Sequence, residues 1–584
     1  MFKYLKINIL FFILFSLTSF ELLAESKYWV AADCSVTNYF DDRANWSLTA
    51  NGEGGAKKPN KNDIAFFGKN SSSSDCNAEI RLNTSVLRII LGNNYNGTVS
   101  INDNKLLLIK EFFSIREGTL LLGTEAELKT AKATSHIESG GTLSAANAKK
   151  VTIKYSLNVK SGGTFIAPAK QTLFLGGFIN RGTFTHSNGT VIFSPSNNGG
   201  NEYQVFTNGT GTGKDFYNVI KNNKNQYLNM NGDMQVNNIT LNRGIWNVAG
   251  NDLYVKGNYI AKGSNRRETS NQSASTSVIF NGTGNQTVIA HNSGAWPSFE
   301  NLTITNTSGV VSFSTKNVGI DKTLTINSGA TLDISGLNMT ATTLVNNGTL
   351  QLEGDETVTV TNKDTDSGTI TYDGSGTYND LEYGDNYYNL TFNGTGTYAL
   401  DANLNVDGAL TITDGTLDVS SDNRSINVAG NWTNSDIFKS RSGTVTFDGT
   451  STITSGGITN QAQDFYNVIL SGSAGTQSTN HVDVDNDFTI SSSGTWNTGG
   501  LCLFVAGTTT TGSGTLTNTT LPTVTFDPAN SDDDVQPSEN ITLTFNHAMR
   551  NTDDSTLTNT NVDSLITLKV NNSSGADIAF DATI

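Results

Sequence analysis

Along most of this chain the apolar residues stand in clusters of three to five, set apart by Gly, Asn, Ser and Thr, and within a cluster they alternate with polar ones. From about residue 85 the segments VLRIIL, GTVSI, KLLLI and GTLLL each end in a turn residue or a charge. A period of two puts one set of side chains on one face of a strand, so the pattern predicts short, half-buried strands. GTL-type starts recur at Gly118, Gly141, Gly163 and Gly182, steps of roughly twenty residues that match one coil of a parallel β-helix. Glycine at each corner is expected to supply a positive φ, and the many Asn and Asp turns tolerate the same conformation.

A longer period overlies the coils. An aromatic-Asn-hydrophobic signature returns as DFYNVI (215–220), SFENLTI (298–304), NYYNLTF (386–392) and DFYNVIL (464–470). Its markers Asn218, Asn301, Asn389 and Asn467 are 83, 88 and 78 residues apart. A second element, ITLNRGIWNV (239–248), LTINSGATLDI (324–334), LTITDGTLDV (410–419) and FTISSSGTWNT (488–498), keeps its place in the order. Trp246, Leu332, Leu417 and Trp496 occupy matched positions in it. Each repeat would supply about four coils of a stacked array. With about 4.8 Å between strands and roughly 16 to 20 coils, the array would be on the order of 75–100 Å long.

The expected fold is therefore all-β: a right-handed parallel β-helix (β-solenoid) over 85–520. It would follow a signal peptide (1–26) and a non-repeating N-terminal cap (27–84), and precede a partial Ig-like β-sandwich at the C-terminus (521–584). The signal reading rests on Lys3 and Lys6, an apolar run from Ile7 to Leu17, and Ala24 and Ser26 at small-x-small spacing. It places the protein outside the cell, secreted or at the cell surface. Cleavage after Ser26 would remove Lys3, Lys6, Glu21 and Glu25 together, so the mature chain keeps a formal charge of −16. That balance argues against nucleic acid or an anionic membrane as partner, since both require a cationic face. No later segment has the apolar length of a transmembrane helix.

The block KYWVAADCSVTNYFDDRANWS, with Trp29, Phe40, Asn45 and Trp46, is not repeated later. It resembles the opening of large bacterial surface and autotransporter-like passenger proteins, where a tryptophan-rich segment precedes a Gly-rich strand array. Near the other end Pro522, Pro528 and Pro537 mark a boundary, because proline rejects interior ladder positions. From there Pro522, Asp527-Pro528-Ala529, Asp534-Val535, ITLTF (541–545) and Met549 are similar to bacterial Ig-like domains of the SbsA type. NVDSLITLKV (561–570) continues the likeness, but the chain stops at Ile584, short of the about 100 residues such a sandwich needs, so a fragment is expected.

Cys34 and Cys76 are either a disulfide, closing a long N-terminal loop in an oxidising compartment, or two buried thiols. Cys502, between two leucines, reads as a small buried apolar residue. His136, His186, His291, His481 and His547 are scattered, with no partner at metal or triad spacing. HVDVDNDF sets Asp483, Asp485 and Asp487 at every second position, where calcium could bridge them; the EF-hand pattern fails, with Phe488 and Gly494 at its Gly and Glu positions. A solvated outer face is the alternative, and Asp532-Asp533-Asp534 offers the same choice. Arg243, Arg266, Arg267, Arg424 and Arg441 are spread over different coils, so the acid-and-arginine groove of a β-helix enzyme is not visible. Trp246, Trp432 and Trp496 are either sugar platforms or core; the exchange with leucine at matched positions favours core. GTGTG (209–213) is a turn, since Lys214 is followed by Asp215.

These residues predict no cofactor other than calcium. The function expected is a non-enzymatic cell-surface structural or adhesin-like protein, a stalk or display scaffold binding a glycan or protein through its repetitive outer face. A β-helix polysaccharide lyase or glycoside hydrolase is the alternative, since the fold hosts both.

Overall fold

The computed structural model describes residues 24–68, 75–195, 203–207, 209–248, 250–262, 276–290, 298–455, 463–479, 481–517, 523–529, 540–545, 557–569 and 574–584. Most of the expected signal peptide, His291, His547, Arg266, Arg267, the Asp532–Asp534 cluster, and Pro522, Asp534-Val535, Pro537 and Met549 lie outside them. The chain is all-β, with a parallel β-solenoid of about 19 turns. It divides into two compact units, Met1–Leu350 with Thr357–Lys363, and Gln351–Glu356 with Asp364–Ile584.

In the first unit the ladder starts inside the aromatic block. Ser26–Trp29 pairs in parallel with Ile64–Phe67, which pairs with Arg88–Leu91, and the stacking then continues turn by turn. Phe67, Leu91, Ile115, Ile137 and Val159 lie one above another, all fully buried. Such stacking of aliphatics on aliphatics lets each turn bury its inner face against its neighbours. The first turn is filled by Trp29, Phe40, Trp46 and Phe67, whose rings pack at centroid distances of 4.9 to 5.5 Å. Trp29 Nε1 donates to the Cys76 carbonyl at 3.1 Å and Trp46 Nε1 to the Phe40 carbonyl at 2.8 Å, so neither indole is left unpaired. Cys34 and Cys76 are joined in a disulfide across the same block, with Cα atoms 4.5 Å apart.

A second, six-stranded parallel sheet takes one short strand from each of six successive turns: Ala78–Ile80, Thr98–Ile101, Gly118–Leu122, Gly141–Ser144, Thr164–Ile166 and Thr183–Thr185. The GTL starts open four of these turns, but their glycines act differently from expectation. Of the four only Gly118 has a positive φ, at +72°, while at two of the other corners the positive φ falls on the glycine just before, Gly140 at +86° and Gly162 at +78°. At Gly141, Gly163 and Gly182 the reason is space: a Cβ would stand 2.2 to 2.7 Å from a carbonyl oxygen of an adjacent turn.

In the second unit the strand Asn389–Ala399 pairs with Thr369–Tyr372 on one side and Leu410–Asp418 on the other. Its inner column runs Ile370, Leu390, Leu410, Trp432, Ile453, Gln477. A seven-stranded parallel sheet forms a separate face, from Asn386–Tyr387 to Thr509–Thr510. Beyond the last turn, Val524–Asp527 and Thr542–Phe545 form a two-stranded antiparallel sheet. Its apolar positions Val524, Phe526 and Phe545 are exposed, and among the described residues no second sheet covers them. A completed Ig-like sandwich is therefore not seen there.

Candidate functional site

Strand ladders satisfy the backbone only where strands run; at each corner the ladder stops and amides need another acceptor. Here Asn and Asp side chains supply it, each accepting from an amide one turn later. In the first unit Asn77 accepts from Thr98 at 2.8 Å, Asp103 from Thr124 at 2.7 Å, Asn238 from Asn258 at 2.8 Å and Asn258 from Thr287 at 2.9 Å. In the second, Asn403 accepts from Ser425 at 3.1 Å, Asn431 from Thr452 at 3.0 Å and Asp487 from Thr508 at 2.9 Å. The short side chain reaches a backbone group without leaving the corner, which is why Asn and Asp and not Gln and Glu crowd these positions.

The marker asparagines belong to this set. Asn301 donates to the Thr276 carbonyl at 2.8 Å and accepts from the Thr323 amide at 3.3 Å, so it joins three turns. Asn467 donates to Thr444 Oγ1 at 3.3 Å and accepts from Asn486 Nδ2 at 2.8 Å. The aromatic two places earlier, Phe216, Phe299, Tyr387 or Phe465, is buried each time. The repeat is not a whole number of turns. Asn218 pairs with Asn238, whereas Asn301 pairs with Ser277, and the column beside it runs from Leu302 through Val278 and Leu253 to Met234. Successive markers therefore do not stack on one another.

The outward positions of the six-stranded sheet form two rows. One is Thr98, Thr119, Thr142, Thr164 and Thr183, each paired with the next. The other is Ser100, Leu121, Ser144, Ile166 and Thr185. None of these ten positions is charged, but the strand Ala78–Ile80 sets the outward Glu79 beside Ser100 at the start of the second row, and neighbouring outward strands in the same turns carry Glu127, Lys129 and Lys150. Beside the rows a groove of about 490 Å3 is lined by Arg81, Ser100, Asn102, Asp103, Lys105 and Leu121. Arg81 is fixed at its rim: its guanidinium lies 3.9 Å over the Tyr39 ring and donates through two nitrogens to Asp41, at 2.9 and 3.1 Å. That fork holds the Asp41 carboxyl below the usual range.

The residues singled out from the sequence fare unequally. Asp483, Asp485 and Asp487 do not share an outer face. The strand ends at Val484, the chain bends at Asp485 and Asn486, Asp483 is buried, and Asp487 is spent on the Thr508 amide. No group of three His, Cys, Asp or Glu able to hold a cation occurs among the described residues. Strand alternation does not continue across the corner at Asp485 and Asn486. Trp246, Trp432 and Trp496 are all buried. Arg441 grips Asp418 one turn back at 2.5 and 2.8 Å, and Arg424 pairs with Asp422 at 2.8 Å. Burial pushes the Asp418 carboxyl up, and the Arg441 fork together with the Ser420 amide more than reverses it, so the carboxyl lies below its ordinary range. His186 and His481 use Nδ1 to accept from the Asn188 and Cys502 amides, at 2.9 and 2.7 Å.

Two buried polar features escaped the sequence reading. Tyr372 and Tyr387 share a hydrogen bond of 2.9 Å in the core, where burial drives both phenols far above their usual range and keeps them protonated. Lys221 is fully buried at an inward strand position. Alignment of the four signatures would have exposed it, since Ile304, Phe392 and Leu470 stand in the same place.

Among the described residues no helix is long and apolar enough to cross a membrane. No family model, curated protein or solved structure matches this chain.

Proposed function

We propose that this chain is a secreted cell-surface structural protein with an adhesin-like role, a display scaffold that binds extracellular material through its repetitive outer face. The observation that carries the reading is the pair of uncharged outward rows, Thr98 to Thr183 and Ser100 to Thr185, repeated turn after turn. Repeated weak contacts at a fixed spacing gain strength by multivalency, which suits attachment better than turnover. Export through the N-terminal signal, and an SbsA-type Ig-like module around the Val524–Asp527 and Thr542–Phe545 strands, belong to the same proposal. Binding of the purified chain to extracellular matrix and cell-wall preparations tests it. Release of new reducing ends or unsaturated sugars, abolished by one carboxylate substitution, would overturn it in favour of a lyase or hydrolase.

A further inference from the structure

The groove beside the hydroxyl rows has what a small polar ligand needs, and its position gives the ligand a direction. Its polar groups are held before anything binds. Arg81 is clamped between Tyr39 and Asp41. Asp103 is oriented by the Thr124 amide at 2.7 Å, and Ser100 Oγ donates to the Ala78 carbonyl at 3.3 Å, leaving its lone pairs to accept. Groups already ordered lose little freedom on binding. Lys105 adds an ammonium with three donors, and Leu121, 38% exposed, adds an apolar floor. Donors, acceptors and a small apolar surface together match a pyranose, which carries hydroxyls at its rim and C–H groups on its faces.

Ser100 and Leu121 follow Glu79 in the second outward row, so the groove opens onto the rows without a break. The row from Thr98 to Thr183 spans four strand spacings, about 19 Å along the stacking direction. Its hydroxyls recur once per turn, a spacing comparable to one sugar ring in an extended chain. Charge narrows the class. The ten row positions carry none, Glu79 beside Ser100 sets a carboxylate at their groove end, and a formal charge of −16 repels a polyanion.

We infer that the groove of Arg81, Asn102, Asp103 and Lys105 is the anchoring subsite for a neutral linear glycan, whose chain continues along the Thr98–Thr183 and Ser100–Thr185 rows. This rests on the surface-binding reading above and names its partner. The glycan is held by charge-assisted hydrogen bonds at one end and by repeated hydroxyl contacts beyond it, with no bond made or broken.

The test is affinity electrophoresis of the full chain in gels containing mixed-linkage β-glucan, galactomannan or alginate. The expected result is retardation by a neutral glycan and not by alginate. Lys105→Ala with Asp103→Asn, which keeps the oxygen that accepts from Thr124, should weaken retardation about tenfold. Thr142→Lys, in mid-row, should weaken binding of the polymer and leave binding of a disaccharide of the same sugar unchanged. A thermal melt equal to wild type shows that each variant is folded. Equal retardation of the double variant, or preference for alginate, overturns the proposal. If neutral glycans fail while the chain still adheres to matrix or cell-wall material, the subsite falls and the surface-binding reading stands. If the chain adheres to nothing, both fall.

Discussion

Asn389 accepts the backbone amide of Ala409, one turn later, through Oδ1 at 2.9 Å, and its Nδ2 donates to the carbonyl of Gly368, one turn earlier, at 2.9 Å. One side chain thus carries hydrogen bonding across a corner in both directions. Asn389→Leu should destabilise the second unit by about 1–3 kcal/mol, since the Ala409 amide loses its partner and the Gly368 carbonyl keeps only the backbone amide of residue 389, at 3.2 Å. Asn389→Asp, which keeps the acceptor and loses the donor, should fall between. Urea titration of the three proteins measures the order, and a leucine variant as stable as wild type would deny the corner any role.

Matched tryptophans should differ in worth. Trp496 Nε1 donates to Gln477 Oε1 at 3.0 Å in the core, whereas Trp246 Nε1 has no partner among the described residues. Replacement by leucine, the residue other repeats use, removes similar ring area at both sites. Only Trp496→Leu also orphans a buried glutamine oxygen. It should cost about 1–2 kcal/mol more than Trp246→Leu, read as the difference between their denaturation midpoints.

Lys221 predicts a pH dependence. Burial pushes its ammonium down to about 8 from the ordinary 10.5. Between those values the unfolded chain binds more protons, so stability rises with pH. The contribution is complete above 10.5 and lost below 8. Relative to Lys221→Met, wild type should gain about 2 kcal/mol between pH 8 and pH 10. A difference between the two that is flat with pH would show that the lysine is solvated.

The Cys34–Cys76 bond closes a loop with a sequence separation of 42 across the aromatic first turn. Loop-closure entropy sets its contribution at about 4 kcal/mol. Cys34→Ser with Cys76→Ser should therefore expose the Trp29 and Trp46 cluster at lower denaturant than wild type, while leaving the far turns unchanged. Tryptophan fluorescence and limited proteolysis with N-terminal sequencing follow the two halves of that expectation.

Legibility followed the range of the forces involved. Alternation within a strand is local, so Leu410, Ile412 and Leu417 could be placed inside from their neighbours alone, and they are buried. Tryptophan was placed by its exchange with Leu332 and Leu417, again a comparison along the chain. Corners broke the inference. The Asp483 series alternates in sequence but crosses a bend, and Gly141 is dictated by a carbonyl of the preceding turn that no local pattern reveals. The Arg81 clamp was invisible for the same reason, since Asp41 lies 40 residues away and meets it only once the cap has stacked on the turns.

The corner hydrogen bonds have a consequence for change over time. Asn389 finds its amide 20 residues on, Asn258 finds its own 29 residues on, and both bonds measure 2.9 Å. A turn can therefore lengthen by several residues outside the strands while the same side chain still reaches the same kind of partner. Insertions at corners leave the pairing of every other turn in place. New loops can accumulate on such a chain one at a time, and its exterior is free to diversify without the interior being rebuilt.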